Sequence, residues 1–577
     1  MMVGTLRSEF EPGSTRWAVR RAQWRAIGIT EEDFHKPKIA VVNSSSTLSV
    51  CYIHLDEVSQ VVQQAVREAG GLPFEIRTAA PSDFITSAGK KARYLMPTRD
   101  LIVNDIEVMV EGAQLDGMVC LSSCDKTTPG HLMASARLNI PSIVVPCGYQ
   151  TGGMCAGRHV DIDDVYESVG SVASGTMTLE ELGEMTEKAI QAPGVCAGLA
   201  TANTMHVLAE VLGMALPGNA PVRAGSEKMF DFARAAGGRI VEMVRENLRA
   251  RDVLTPVAFA NAVEVDLAVG GSVNSVRHLA AVVTEAELDL DITSLFEERT
   301  EDASLVCVVR PNGPHSVGEL EEAGGARGVM KQISSRLDAS AVTVSGKTVA
   351  KIVGETPPPD GRIIRPLDDP FRMEPGLKII RGSLAPHGAI VKLAAVPEER
   401  YEFKGAARVY EGEDEAIEGL RRSEIREGDV VVLRGLGPRG GPGTVFAASF
   451  AAALNGAGLS GRVAVVTDGE LSGLNRGLII GQVMPEAADG GPLALLEEGD
   501  EIEINLRRGD IELLVEDGVL DTRESAWTPP PPTRERGWLA QYSRLVQPIE
   551  KGATLVQPPS TSDQATSEVG LRYGRER

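Results

Sequence analysis

The segment LSSCDKTTPG sets Cys124, Asp125 and Lys126 side by side, directly after an apolar run from Met118 to Leu121. A soft thiolate, a hard carboxylate and an amine in one turn offer three different kinds of metal and proton chemistry. Two further cysteines stand in comparable Gly-, Ser- or Pro-flanked stretches, Cys51 in STLSVCYIHL and Cys196 in APGVCAGLATANTM. Each of the three lies roughly 70 residues from the next, too far for a zinc knuckle or a compact ferredoxin run. Brought together from three loops, they could hold an iron–sulfur cluster with one iron left open, a Lewis acid for a hydroxyl group. Any one of them alone reads as a small buried hydrophobe, and Cys120, Cys147 and Cys307, which lie inside apolar runs, keep that reading. Asp125 offers oxygen to a hard cation such as Mg²⁺. Lys126 can do so only as a neutral amine carbamylated by CO₂; otherwise an Asp-Lys pair after a strand is a surface pair.

The elements that must position these groups alternate along the first 350 or so residues. KIAVVN, GMVCLSS and IPSIVVP are apolar runs of the buried, parallel-strand kind. Between them, HLDEVSQVVQQAVREAG repeats apolar residues at three- and four-residue spacing and ends on Gly, as an amphipathic helix does. GHLMASARL and TANTMHVLAEVLGMALPG also read as helices. The pattern predicts an α/β fold with a parallel sheet over residues 1–355. Pro357 to Pro359 mark a linker. Beyond it, strands at short spacing (AIVKLAAV, DVVVLRG, RVAVVTDG) and a hairpin, GDEIEINLRRGDIELLV, predict a smaller β-rich, barrel-like domain over 371–550. A polar tail is expected over 551–577.

At 577 residues more than one domain is expected. A net charge of −22 argues against nucleic acid and anionic membrane surfaces as partners, leaving small polar metabolites. The N-terminus shows no uninterrupted apolar run of the signal-peptide kind, and no stretch of 18 apolar residues occurs. An odd number of cysteines, seven, fits a reducing cytoplasm better than a disulfide framework. GLGPRG, Gly435 to Gly440, matches the spacing of a dinucleotide-binding turn, but a Pro-Gly break follows it instead of a helix and no acidic residue stands about 20 positions on to hold a ribose. A glycine-rich turn near the active site is the expectation there.

Taken together, GITEEDFHKPKIAVVNS, CYIHL, SCDKTTPGHLMA, GGSVNSVRHL, LAPHGAIVK, GPRGGPG and TDGELSGLNRGLIIGQVMPEAADGGPLALLEEGDEIEI resemble segments of the dihydroxy-acid and phosphogluconate dehydratase family, the branched-chain dihydroxy-acid branch more than the aldonate one. The resemblance implies a hydro-lyase that converts a 2,3-dihydroxy acid to a 2-keto acid. It implies Cys51, Cys124 and Cys196 as ligands of a [2Fe-2S] cluster, with [4Fe-4S] as the alternative. Asp83, Asp125 and carbamylated Lys126 would form the Mg²⁺ site, and Ser472 in DGELSG would be the base, as alkoxide. A homodimer is implied as well. Removing the weakly acidic C2 proton and expelling hydroxide need two Lewis acids at a fixed separation, which the adjacency of Cys124 and Asp125 would provide.

This chain departs from the family at the site itself. Phe446 stands where the family has a Glu that binds Mg²⁺, and Leu436 replaces another customary Glu. Gly89, Lys90 and Lys91 replace His-Glu-Gly, and Glu470 stands where Arg is frequent. One reading is an active enzyme whose pocket takes a bulkier or more anionic acid. The others are a sugar-acid dehydratase and a non-catalytic iron–sulfur member of the family. A nicotinamide oxidoreductase is the remaining alternative.

Overall fold

The computed structural model describes residues 6–556 except 174, 442, 445, 474 and 531–535. Four strands, β1 (Lys38–Asn43), β2 (Leu72–Arg77), β3 (Gly117–Ser122) and β4 (Ser142–Pro146), form an all-parallel sheet in the order β2-β1-β3-β4. Residues of β1, β3 and β4 are buried throughout, because helices cover both faces, whereas the edge strand β2 alternates. The helix Leu55–Glu68 lays Leu55, Val58, Val62 and Val66 into the core and packs on the helix Glu227–Glu246, the apolar stripe its spacing predicts. The helix Thr127–Leu138 starts directly after Lys126, is buried along nearly its whole length, and stops where Asn139 turns left-handed.

A short hairpin, β5 (Gly153–Cys155) and β6 (Arg158–Val160), follows. The second half contains a closed eight-stranded barrel made of β7 (Lys378–Gly382), β8 (Ala385–Val391), β9 (Glu402–Tyr410), β10 (Val430–Leu433), β11 (Ala464–Thr467), β12 (Ile479–Met484), β13 (Glu501–Asn505) and β14 (Asp510–Leu513), in the order β10-β11-β12-β8-β7-β14-β13-β9. Both the parallel-sheet α/β expectation and the barrel expectation are met, and the expected hairpin is the antiparallel pair β13/β14. AIVKLAAV, read as one strand, leaves the barrel at Val391 and closes into a 3₁₀ turn, Leu393–Ala395. The segment 356–377 contains no helix or strand. Of the expected tail, Gly552 and Ala553 are held by the buried Arg99, which donates to both carbonyls at 2.8 Å; residues 557–577 lie outside the described ones.

The two sheets meet through their carboxyl ends. Cys51, Asp83 and Cys124 follow β1, β2 and β3, while Leu436 and Ser472 follow the parallel barrel strands β10 and β11. Ligands of open parallel sheets bind at such strand ends. Asn274 donates to the Leu471 carbonyl at 2.8 Å and Gln482 to the Val273 carbonyl at 3.1 Å, which fastens the barrel to the helical half.

Candidate active site

Cys51, Cys124, Cys196, Asp83, Asp125 and Ser472 all line one cavity of about 260 Å³. Residues scattered over most of the chain therefore converge. Cys51 and Cys124 are buried, Cys196 is half-buried, and no cysteine is in a disulfide. One atom each from Asp83, Cys124 and Asp125 lies within 4.8 Å of the others, the spacing of a metal-holding group. A hydrogen bond with Cys51, then burial and nearby charge, push the Cys124 thiol well above its ordinary pKa. Burial does the same to Cys196, with Asp163 adding to it. Asp83 is raised by burial and by the Asp125 charge, and its Oδ1 is buried without a hydrogen-bond partner. Thiols and carboxylates crowded together and starved of donors fit a cationic group: a cluster on the three sulfurs, a divalent ion on the two carboxylates.

Lys126 is fully buried. Its Nζ stands 3.7 Å from Asp83, 4.0 Å from Asp125 and 3.6 Å from Glu470, hydrogen-bonded to none of them. Burial pulls its pKa down, and the three carboxylates outweigh that, so the amine stays an ammonium above the ordinary lysine value. The Phe446 ring faces it, 5.0 Å from Nζ to centroid, a cation–π contact in the place where a carboxylate was expected. Glu470 is buried too, 2.5 Å from Arg277 Nη2. Glu470 is the parallel bridge partner of Phe446, so a carboxylate is present one strand over from the position that lacks one. His278, 3.9 Å from Glu470, is kept neutral by burial and by neighbouring cations.

Ser472 sits in the turn after β11. Its hydroxyl is hydrogen-bonded to the Tyr166 phenol, which itself donates to the Ala448 carbonyl at 2.6 Å. Glycine is required next to it, since a Cβ on Gly473 would come within 2.8 Å of Ala200 Cα. The Gly435–Gly440 turn is occupied by protein carboxylates: Gly435 and Leu436 N–H donate to Asp468 at 3.1 and 2.9 Å, and Arg439 and Gly440 N–H to Glu486 at 3.0 and 2.9 Å. It shapes the cavity wall through Leu436, and four of its amides are taken by protein carboxylates.

Several cavity residues escaped the sequence reading, Arg93, Tyr166 and Phe84 among them. Arg93 lines the cavity with a guanidinium that makes no hydrogen bond or ion pair among the described residues, and its Nε is buried. Tyr166 reaches Ser472 from the helix Ile162–Ala173. Phe84 forms part of the apolar wall. The run GKKAR carried a signal of positive charge, but Lys91 is spent on Asp414 at 2.7 Å across the cavity mouth, and nothing is described of the Lys90 side chain. Lys91 and Ala92 both hold left-handed backbone, φ 55° and 65°, a strained pair of the kind found at functional sites.

Comparison with known proteins places the chain in a class of dehydratases. The family model described as dihydroxy-acid/6-phosphogluconate dehydratase N-terminal matches residues 36–352, and its C-terminal counterpart matches 362–553. The chain belongs to this family. It is 40% identical to the dihydroxy-acid dehydratase of Methanothrix thermoacetophila over 95% of this chain and 100% of that one. It is also 40% identical to that of Syntrophobacter fumaroxidans, over 95% and 99%, and 41% identical to that of Ignicoccus hospitalis, over 93% and 98%. No helix among the described residues is long and apolar enough to cross a membrane.

Proposed function

We propose that the protein is a hydro-lyase that removes water from a 2,3-dihydroxy carboxylic acid to give a 2-keto acid, as in branched-chain amino-acid biosynthesis. The observation that carries this is the convergence of three thiols, two carboxylates and the Ser472 hydroxyl on one cavity. In this reading Cys51, Cys124 and Cys196 hold a [2Fe-2S] cluster, with [4Fe-4S] the alternative, and Asp83, Asp125 and carbamylated Lys126 hold Mg²⁺. Bound there, such groups supply Lewis acidity toward the substrate's oxygens. With Asp83 and Asp125 engaged by a cation, Glu470 is the one carboxylate left of the three that hold Lys126 as an ammonium, and the lysine amine becomes more available to CO₂.

The remaining work belongs to the chain's own side chains. Ser472, as alkoxide, takes the C2 proton; in its hydroxyl form it donates to the Tyr166 phenol oxygen, which orients the side chain before that proton is given up. The Arg93 guanidinium is open to the substrate carboxylate. Phe446, Leu436 and Phe84 give the cavity a hydrocarbon patch, beside the acidic Glu411, Glu413 and Asp414. Loss of the C2 proton and the C3 hydroxyl leaves an enol, which tautomerises to the keto acid. The hydrocarbon patch of Phe446, Leu436 and Phe84 suits the alkyl branch of a branched-chain acid. The division into 1–355 and 371–550, a cytoplasmic location and a homodimer belong to the same proposal.

Phe446 in place of a carboxylate favours a second reading, a family member that keeps the cluster without turnover. The test is keto-acid formation from a panel of branched and sugar acids with Mg²⁺, using anaerobically purified protein whose iron and sulfide are measured. Turnover that vanishes in Ser472→Ala while the iron stays supports the enzyme. Iron without turnover on any acid supports the second reading, and folded protein without iron sinks both. Phe446→Glu gaining activity on the branched acid alone would mark a chain drifted from that substrate.

A further inference from the structure

Lys392 follows β8 directly and is buried, an unusual place for an amine unless it is partnered. Its one hydrogen bond among the described residues runs from Nζ to the Gly473 carbonyl, at 3.1 Å, immediately after Ser472. A small pocket of about 10 Å³ is bordered by Lys392, Ser472, Gly473 and Asn475, with Val273, Leu471 and Ile479 completing its wall. That is room on the order of one water molecule. The Asn475 side chain is buried there with neither its nitrogen nor its oxygen hydrogen-bonded. Lys392, Ser472 and the unsatisfied Asn475 amide thus border one small space.

We propose that Lys392 is the positioning residue of Ser472: its amine holds the serine-bearing turn by the Gly473 carbonyl and, across the small cavity they share, receives the serine proton when the base form is made. This rests on the reading of Ser472 as the base. The serine O–H bond breaks, an N–H bond forms at Nζ directly or through one intervening water, and the electron pair stays on the serine oxygen. No oxidant or other reactant is needed, and the resulting ammonium remains as counter-charge to the alkoxide.

The surroundings suit that exchange. Burial is the largest influence on Lys392 and lowers its pKa, Arg476 lowers it further, and Asp266 and Asp163 act in the opposite sense; the balance falls at about 7. Asp266 comes from the helix Pro256–Val269 and Asp163 from Ile162–Ala173, so charged groups face the amine from two helices and from the turn that carries Arg476. At neutral pH a large share of the lysine is free to accept a proton. Ser-Lys pairs serve nucleophilic enzymes on unrelated folds in the same sense.

The experiment compares Lys392→Met, Lys392→Ala and Lys392→Arg in the iron-loaded enzyme. In Lys392→Met, kcat is expected to fall roughly 10²-fold, with KM within about threefold of the parent and iron content and visible absorption unchanged. The rise of kcat through neutral pH should disappear with it. Small alkylamines added to Lys392→Ala should restore kcat in order of their basicity, a response that a loop merely loosened would not give. Lys392→Arg keeps a donor for Gly473 but cannot accept a proton, and it should stay slow while folding normally. Parent kcat and pH profile in Lys392→Met or Lys392→Arg overturn the role, as does a slow Lys392→Ala with no response to any amine. Ser472→Ala separates the two layers: if it turns over at the parent rate the base assignment itself falls, whereas an inert Ser472→Ala beside a fast Lys392→Met removes only the role given to Lys392.

Discussion

Gly473→Ala adds one carbon next to the proposed base and should act on rate as well as on stability. The new Cβ would stand 2.8 Å from Ala200 Cα, 2.9 Å from Ala200 Cβ and 3.0 Å from Thr201 N. Ordinary contact begins at 3.4 Å, so the turn must recede by about 0.6 Å. Ala200 and Thr201 open the helix Thr201–Val211, which is buried along its length, so the helix will not yield and the serine turn moves instead. The strain costs on the order of 1–3 kcal/mol. A misplacement of about 1 Å costs roughly 10²-fold in rate, so a shift of this size predicts roughly a tenfold loss of kcat. The assay is kcat and KM for keto-acid formation beside a thermal melt, with Gly354→Ala as control; Gly354 lies in the helix Val349–Glu355 with nothing within 4 Å of the added carbon. A Gly473→Ala enzyme with parent kcat would refute the placement of Ser472 at the reacting atoms, because the packing leaves no way to add that carbon without moving it.

Three further outcomes are expected. Glu470→Gln leaves Arg277 and Lys126 buried with less counter-charge; breaking a buried ion pair costs ~3–5 kcal/mol, which denaturant melts will show, and Glu470→Gln with Arg277→Leu should recover part of it. Arg93→Met should raise KM for the dihydroxy acid more than it lowers kcat, and a lower kcat at unchanged KM would deny it the substrate carboxylate. His131, held neutral by burial with its pKa lowered to about 3, titrates at about 6.5 when unfolded. The unfolded chain thus binds the extra proton first, and stability contributed by the neutral ring is present above about 6.5 and lost as pH falls toward 3. The loss at pH 5 is ~2 kcal/mol, and His131→Gln should melt with a shallower acid dependence than the parent.

Much of this protein was legible before folding. Parallel strands announced themselves as unbroken apolar runs, since a strand covered on both faces has no polar side to alternate. The three loop cysteines and Asp125 stood out because thiols and a carboxylate flanked by turn residues are local facts of a chain, whereas Asp83 and Ser472 came only from the family resemblance, which tied all of them to one chemistry. What sequence order does not contain is distance between segments far apart. That Glu470 pairs with Arg277 beside Lys126, that Arg93 opens into the cavity while Lys91 is spent on Asp414, and that Lys392 reaches Gly473 all depend on two sheets meeting at their strand ends. The charge at each of these groups follows from burial and from neighbours supplied by other elements, so only the packed molecule decides it. Phe446 shows both sides: its identity removed a carboxylate from view, and its bridge to Glu470 showed where another one stands.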